Sequence, residues 1–470
     1  MATVSSQIRF GMAAGLCAML LVAVSCSGRD NSSPSTSVSA TKTGCTGGVV
    51  VTDPLIAAPV TGGASSVYFS NAASVPQSKD CDGMRQFLSE PQPGLDLQSY
   101  VFYGHLDSSD GAVITFSTLG QTSTIGSGAA NTSNVKAITT NTGDGVQLGG
   151  FAGGPATVMS GTTNPFSARA TNAGDFLDVR VVDGQLGQPG STLEITSSAE
   201  SLDAAGKGGT TQVWIRATDR SGVAQWGYGP SGFFPQWLQP NQRTAVTDQH
   251  GGNVGDYLKA SNDPMTNQGS YYYSSTFIDV EQFSVTRDGA VVASGTGGQL
   301  IADFVTQKFD DAAKAIIDNG VEWLEFTSFL TRDKAMKIGQ VSQSSVGTLP
   351  YAVLVEDTGG RLTNGSLAAA QSWPIDGITI TPDKTKTWTS PLSKKTYSTA
   401  YTVTLVDKGK TDTLTYTVLF DDQEIDTGGR IVYEGIFKVQ GTFGGETIDG
   451  YSWGEIQPIS GFDTQSTGSG

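Results

Sequence analysis

Asp-Gly and Gly-Gly pairs cut this chain into short runs along most of its length. They fall at 107–111, 144–145, 183–184, 288–289, 357–360 and 426–429. These residues tolerate the positive φ of a tight hairpin turn, so each pair ends one extended segment and starts the next. Between them, apolar and polar residues alternate with a period of two, as at 212–217, 277–285, 351–355, 401–405, 414–420 and 431–439. In the last run Tyr433, Phe437 and Val439 share one face, while Glu434 and Lys438 share the other. The segments 100–105 and 112–116 flank the turn at 107–111 and predict a hairpin. Short extended runs are also expected at 49–51 and 66–69. This punctuation predicts a mainly β protein of antiparallel sandwiches or barrels.

One segment departs from the period of two. Ile301, Phe304, Val305, Phe309, Ala312, Ala313, Ile316 and Ile317 recur at helical spacing, with Asp303, Lys308, Asp310, Asp311 and Lys314 opposite. Asn319-Gly320 supplies a stop signal. The pattern predicts one amphipathic helix over 300–318.

Charge narrows the function. The chain carries 44 acidic and 28 basic residues, a net charge of −16. A nucleic-acid binder needs a basic face, so that class is excluded. With two histidines, His105 and His250, and four cysteines, a zinc enzyme is not expected, and no metal site is predicted. No phosphate-binding Gly-rich loop, dinucleotide fingerprint or Gly-x-Ser-x-Gly elbow is present. The turn at 107–111 needs no bound calcium to explain it.

The N-terminus reads as an export signal over 1–25. An apolar run at 12–24 is too short to span a bilayer, at about 20 residues. It ends in Ala23-Val24-Ser25-Cys26, which resembles a bacterial lipoprotein lipobox with Cys26 as the lipidated residue. The alternative is an ordinary secretory signal. Residues 26–48 then form the lipidated cysteine and a polar tether, and 463–470 a disordered tail. The expected location is the bacterial cell envelope, at the cell surface or in the periplasm, with the membrane as a partner through the lipid. An oxidising compartment allows Cys45 and Cys81 to pair.

The C-terminal third carries an ordered pattern: Trp388-Thr-Ser-Pro391, Tyr397, Tyr401-Thr-Val-Thr-Leu405, Asp422-Gln-Glu424, Tyr433-Glu-Gly435, Val439-Gln-Gly441 and Gly450-Tyr-Ser-Trp-Gly-Glu455. Further segments agree with it, at 99–106, 270–275 and 319–326. Together they resemble the carotenoid 1,2-hydratase and AttH-like family of lipocalin-like proteins. The resemblance implies two lipocalin-like β-barrels side by side, here 49–264 and 265–462. It implies a hydrophobic small-molecule ligand held near the barrel junction, no obvious cofactor, and hydratase or Diels–Alder-type cyclase activity among relatives. Many relatives carry Trp-x-Asp-His-x-x-Gly before the central tryptophan strand. Here the region is Gln299-Leu-Ile-Ala-Asp-Phe-Val305, which keeps Asp303 and lacks the histidine.

Three residues are candidate catalysts. His105 can exchange a proton near neutral pH, or can simply bond within the turn beside Asp107. Glu434 is a general acid if its strand turns it inward, or an outward-facing charge. Asp303 is the counterpart of the family aspartate, or a solvated residue on a helix face. Tyr100, Tyr103, Tyr272, Trp323, Trp388, Tyr397 and Tyr433 are candidate walls of a pocket for a polyene, terpenoid or polyketide-like ligand. Trp237 ends an aromatic, Gly- and Pro-broken loop at 226–237 that reads as a lid. Glu424 is expected to be a loop or strand-end charge. Two functions fit: a cofactor-free hydratase or cyclase, or a carrier of the same fold without chemistry.

Overall fold

The computed structural model describes residues 97–459, apart from 124–129, 140–145, 153–157, 164, 173–174, 185–189, 203–207, 221–222, 225–268, 309–320, 344–346, 358–368, 374 and 427–430. The expected signal, tether and tail, with Cys26, Cys45, Cys81, Trp237 and His250, lie outside the described residues. So do the runs at 49–51 and 66–69.

The first sheet contains β1 (Leu97–Asp107), β2 (Val113–Ser123), β3 (Ala130–Thr139), β4 (Val146–Ala152), β5 (Val158–Thr163), β6 (Phe166–Asn172), β7 (Asp175–Asp183), β8 (Ser191–Leu202), β9 (Gly208–Asp219), β10 (Val223–Ala224), β11 (Gly269–Arg287), β12 (Ala290–Gly295) and β13 (Gly298–Lys308). The second contains β14 (Val321–Thr331), β15 (Lys334–Gln343), β16 (Gly347–Glu356), β17 (Ala369–Ser372), β18 (Ile378–Pro382), then β21 (Ala400–Asp407), β22 (Lys410–Val418), β23 (Glu424–Asp426), β24 (Ile431–Phe443) and β25 (Glu446–Ile459). Between β18 and β21, β19 (Thr387–Thr389) and β20 (Thr396–Ser398) pair only with each other. One 3-10 turn (Ile375–Gly377) is the helical element among the described residues.

All pairings are antiparallel. The 13-stranded sheet runs β4-β3-β2-β1-β13-β11-β9-β8-β7-β6-β5 and curls until β4 meets β8. The 10-stranded sheet runs β17-β16-β15-β14-β25-β24-β22-β21-β18 and closes with β16 against β18. Curling each sheet onto itself covers its apolar face without a second layer. The two interiors are separate cores. The first holds Phe102, Leu106, Ile195, Ile215, Phe283 and Leu300. The second holds Phe326, Ile338, Val403, Tyr416, Phe437 and Ile456. The expected hairpin turn at 288–289 is present, with φ of 49° at Asp288 and 82° at Gly289, the left-handed pair that a two-residue hairpin requires.

Two expectations are corrected. The predicted helix begins instead as β13, with 309–318 outside the described residues. This strand lies between β1 and β11 and is covered on both faces. Leu300 and Ala302 enter the first core, while Ile301 and Asp303 are buried on the opposite side. A strand covered on both faces carries a continuous apolar run, and that run imitates helical spacing. The segment 269–308, expected to open the second barrel, is hydrogen-bonded into the first sheet. The change of sheet falls between β13 and β14.

Candidate functional site at the barrel junction

Among the described residues apolar side chains gather in the two interiors, and a group of buried polar side chains gathers on the outer faces where the barrels meet. On β1, the alternation that sends Phe102 and Leu106 inward sends Tyr103 and His105 outward. On β13 it sends Asp303 outward, level with Ser274 of β11. On β14, Leu324 and Phe326 go in, and Trp323, Glu325 and Thr327 go out. Lys337 of β15 is the register partner of Thr327, and so is Trp453 of β25 on the other side.

These groups form one buried network across the junction. Lys337 Nζ donates to Asp303 Oδ2 at 3.2 Å and lies 3.5 Å from Glu325 Oε1. Tyr103 Oη donates to Asp303 Oδ2 at 2.6 Å, and Ser274 Oγ donates to Asp303 Oδ1 at 2.5 Å. Tyr103 Oη also sits 3.3 Å from Thr327 Oγ1, which donates to Glu325 Oε1 at 3.2 Å. Tyr351 Oη donates to Glu325 Oε2. Lys337 is 1% exposed and Asp303 3%. Burial pushes the Tyr103 phenol well above its ordinary range, and the charges of Asp303 and Glu325 push it the same way. Two carboxyls, one ammonium and two phenols out of water can hold a proton and pass it along hydroxyls. Among the described residues, no group of three or more His, Cys, Asp or Glu is placed to hold a metal ion.

Aromatic walls flank the network. Trp323 lies tilted against Tyr351 at 5.6 Å between ring centroids, and Tyr103 against Trp453 at 5.9 Å. Tyr351 reaches Glu325 by crossing Gly339, which stands between them in register. A Cβ at Gly339 would meet Tyr351 Oη at 2.4 Å and the Leu324 carbonyl oxygen at 2.5 Å. Only glycine leaves space for that ring.

A second bridge lies at the other end of β13 and β14. Arg220 donates to Asp333 at 2.8 Å and Asp357 at 2.7 Å, its Nε lies 3.0 Å from Asp279, and it also reaches the Arg332 carbonyl. Gln299 donates to that same carbonyl at 3.0 Å, and Arg332 to Asp279 at 2.7 Å. The tip of the β14–β15 hairpin is thus clamped onto the first barrel, and this hairpin carries Glu325, Thr327 and Lys337 toward Asp303.

The expected site residues divide among several places. Tyr103, Asp303 and Trp323 come together at the junction; Asp303, alternatively a solvated charge, is at its centre. His105 is buried near the seam, its Nδ1 3.0 Å from Asp107 Oδ1 and its ring 4.7 Å from Tyr451 and edge-on to Phe329. The hydrogen bond from His105 holds Asp107 below its ordinary value. Glu434 points out of the second barrel, half-buried, and accepts from Trp453 Nε1 at 2.5 Å. Tyr100 is inside the first core, where its hydroxyl has no partner among the described residues. The backbone of Tyr272 is in β11; its side chain lies outside the described residues.

Trp388, Tyr397 and Tyr433 form a separate aromatic group on the second barrel. There Glu424, expected to be a strand-end charge, is buried instead. It accepts from Ser390, from Ser393 at 2.6 Å and from Tyr397 at 2.5 Å. Lys337, Glu325, Thr327 and Tyr351 were not among the expected site residues. A signal for Glu325 and Lys337 is visible: a lone charge inside a run that is otherwise apolar or aromatic, as in Trp323-Leu-Glu-Phe326 and Ala335-Met-Lys-Ile338.

The fold and the junction define a class: paired lipocalin-like barrels with a buried polar network between them. The architecture is that of the AttH-like proteins. A Nitrosomonas europaea structure described as a putative AttH superposes with a TM-score of 0.51 at 15% identity, covering 86% of this chain and 99% of its own. Kievitone hydratase from Nectria haematococca gives a TM-score of 0.49 at 13% identity, covering 79% of this chain and 92% of its own. CghA gives 0.40 at 10% identity, covering 78% and 89%. No protein-family model and no curated protein matches the sequence.

Proposed function

We propose that this chain is an exported, lipid-anchored protein that binds a hydrophobic small molecule at the barrel junction and transforms it by cofactor-free proton transfer. The ligand class is a polyene, terpenoid or polyketide-like compound, and the reaction a hydration or cyclisation. The observation that carries the reading is the buried set Asp303, Lys337 and Glu325 with Tyr103 and Tyr351, flanked by Trp323 and Trp453. In a hydration, a carboxylic acid of the pair gives its proton to one alkene carbon. Water adds to the other carbon and loses a proton to the partner carboxylate, so acid and base exchange roles. Lys337 balances the charge that remains. Asp303 supplies this chemistry without the histidine that follows it in many relatives.

A carrier without chemistry is the second reading. It is favoured by the hydrogen bonds that Asp303 and Glu325 already accept from within the protein. The test is native mass spectrometry of the purified protein to identify a copurifying molecule, followed by incubation with that molecule. Turnover that Asp303→Asn abolishes while binding persists supports the enzyme. Binding with no turnover by the unaltered protein leaves the carrier.

A further inference from the structure

The ribbon formed by β19 and β20 has a composition unlike the rest of this acidic molecule. Lys384, Lys386, Lys394 and Lys395 occur within twelve positions that contain no acidic residue, with Asp383 directly before them. Lys384, Lys386 and Lys394 are exposed, and Lys395 is half-buried. At the tip stands Leu392, 52% exposed, beside exposed Pro391.

This tip is rigidly held. Ser390 N donates to the Lys395 carbonyl at 2.8 Å, and Lys394 N to the Ser390 carbonyl at 3.1 Å. Ser390 Oγ accepts from the amides of Leu392 at 2.9 Å and Ser393 at 3.1 Å. Beneath it, buried Glu424 ties down Ser390, Ser393 and Tyr397. Lys394 has φ of 66°, an uncommon conformation for a side chain of its size. Such a conformation persists where its surroundings over-determine it. The fold therefore fixes an apolar residue outward amid lysines.

We infer that this ribbon docks on an anionic phospholipid surface, with Leu392 entering the interface and the lysines facing headgroup phosphates. Charge complementarity selects an anionic partner. The exposed leucine at the tip selects a bilayer over a soluble polyanion, because only a bilayer offers apolar depth beneath its charge. The acidic remainder of the molecule does not prevent contact. Charges of the body that stand farther from the bilayer than a Debye length of about 8 Å are screened.

The test is hydrogen exchange by mass spectrometry on the full chain with vesicles of phosphatidylcholine alone or mixed with phosphatidylglycerol. Local exchange reports ribbon contact whether or not the N-terminus also holds the protein on the vesicle. Amides of 386–396 are expected to slow by about tenfold or more on anionic vesicles, and to recover in high salt. Lys384→Glu with Lys386→Glu, Lys394→Glu and Lys395→Glu abolishes the protection with the melting temperature kept. Leu392→Ser weakens it with the ribbon otherwise unchanged. Equal exchange on both vesicle types overturns the inference. So does equal protection by a soluble polyphosphate, which assigns the patch to a polyanion.

Discussion

Replacing Lys337 by methionine tests whether the junction network is a single electrostatic unit. The side chain keeps its length and loses its charge, leaving Asp303 and Glu325 buried together. Lys337 Nζ is 3.2 Å from one carboxylate and 3.5 Å from the other. At an effective dielectric of about 20, each contact is worth about 5 kcal/mol of gross attraction. Desolvating the ammonium costs several kcal/mol, so the net is smaller. Hydroxyls from Tyr103, Ser274, Thr327 and Tyr351 still support the carboxylates after the change. Breaking a buried pair by removing one partner costs about 3–5 kcal/mol, and that is the expected loss. For a unit the size of one barrel it corresponds to a fall of roughly 6–20 °C in melting temperature. Denaturant titration gives the free energy directly. Adding Asp303→Asn and Glu325→Gln to the same chain removes the stranded charges and is expected to restore most of the loss. A loss below about 1 kcal/mol would refute the reasoning, because it is the value of a solvated surface pair.

Other consequences are equally open to measurement. Gly339→Ala places a methyl against Tyr351 Oη and the Leu324 carbonyl. It is expected to cost about 1–3 kcal/mol and to free Tyr351 from Glu325, seen in a crystal structure and in the melting temperature. Burial raises the phenols of Tyr100, Tyr103, Tyr416 and Tyr433 above the usual 10.0. A raised folded-state value contributes stability that is complete below about pH 10 and is lost as pH climbs through the folded values, at about 1.4 kcal/mol per pH unit for each tyrosine. An ultraviolet titration of the 14 tyrosines should then show at least these four ionising only as the protein unfolds. Arg220→Ala removes the clamp on the β14–β15 hairpin and should raise protease sensitivity between the barrels, with both cores intact. Unchanged cleavage would show that the junction network alone holds them.

The outer face of a β-strand explains why some of this was legible and some was not. Local pattern determined the hairpin turn at 288–289, the β1–β2 hairpin and the inward face of β24, because a turn needs particular φ values and an interior needs apolar residues every second position. The low charge and the glycine-marked turns of the sequence likewise sufficed for a chain of short antiparallel strands. What a strand's outward residues meet depends on a surface far away in sequence. Asp303 reads as a solvated charge until a second barrel covers it and supplies Lys337, 34 residues on. Tyr103 finds Asp303 after a separation of 200 residues. The same cover made β13 look helical, since burying both faces removes the alternation that marks a strand. Sequence alone determined the class of fold, through interactions between near neighbours. Tertiary structure alone decided the site, because burial by a partner barrel turns ordinary outward polar residues into a desolvated network.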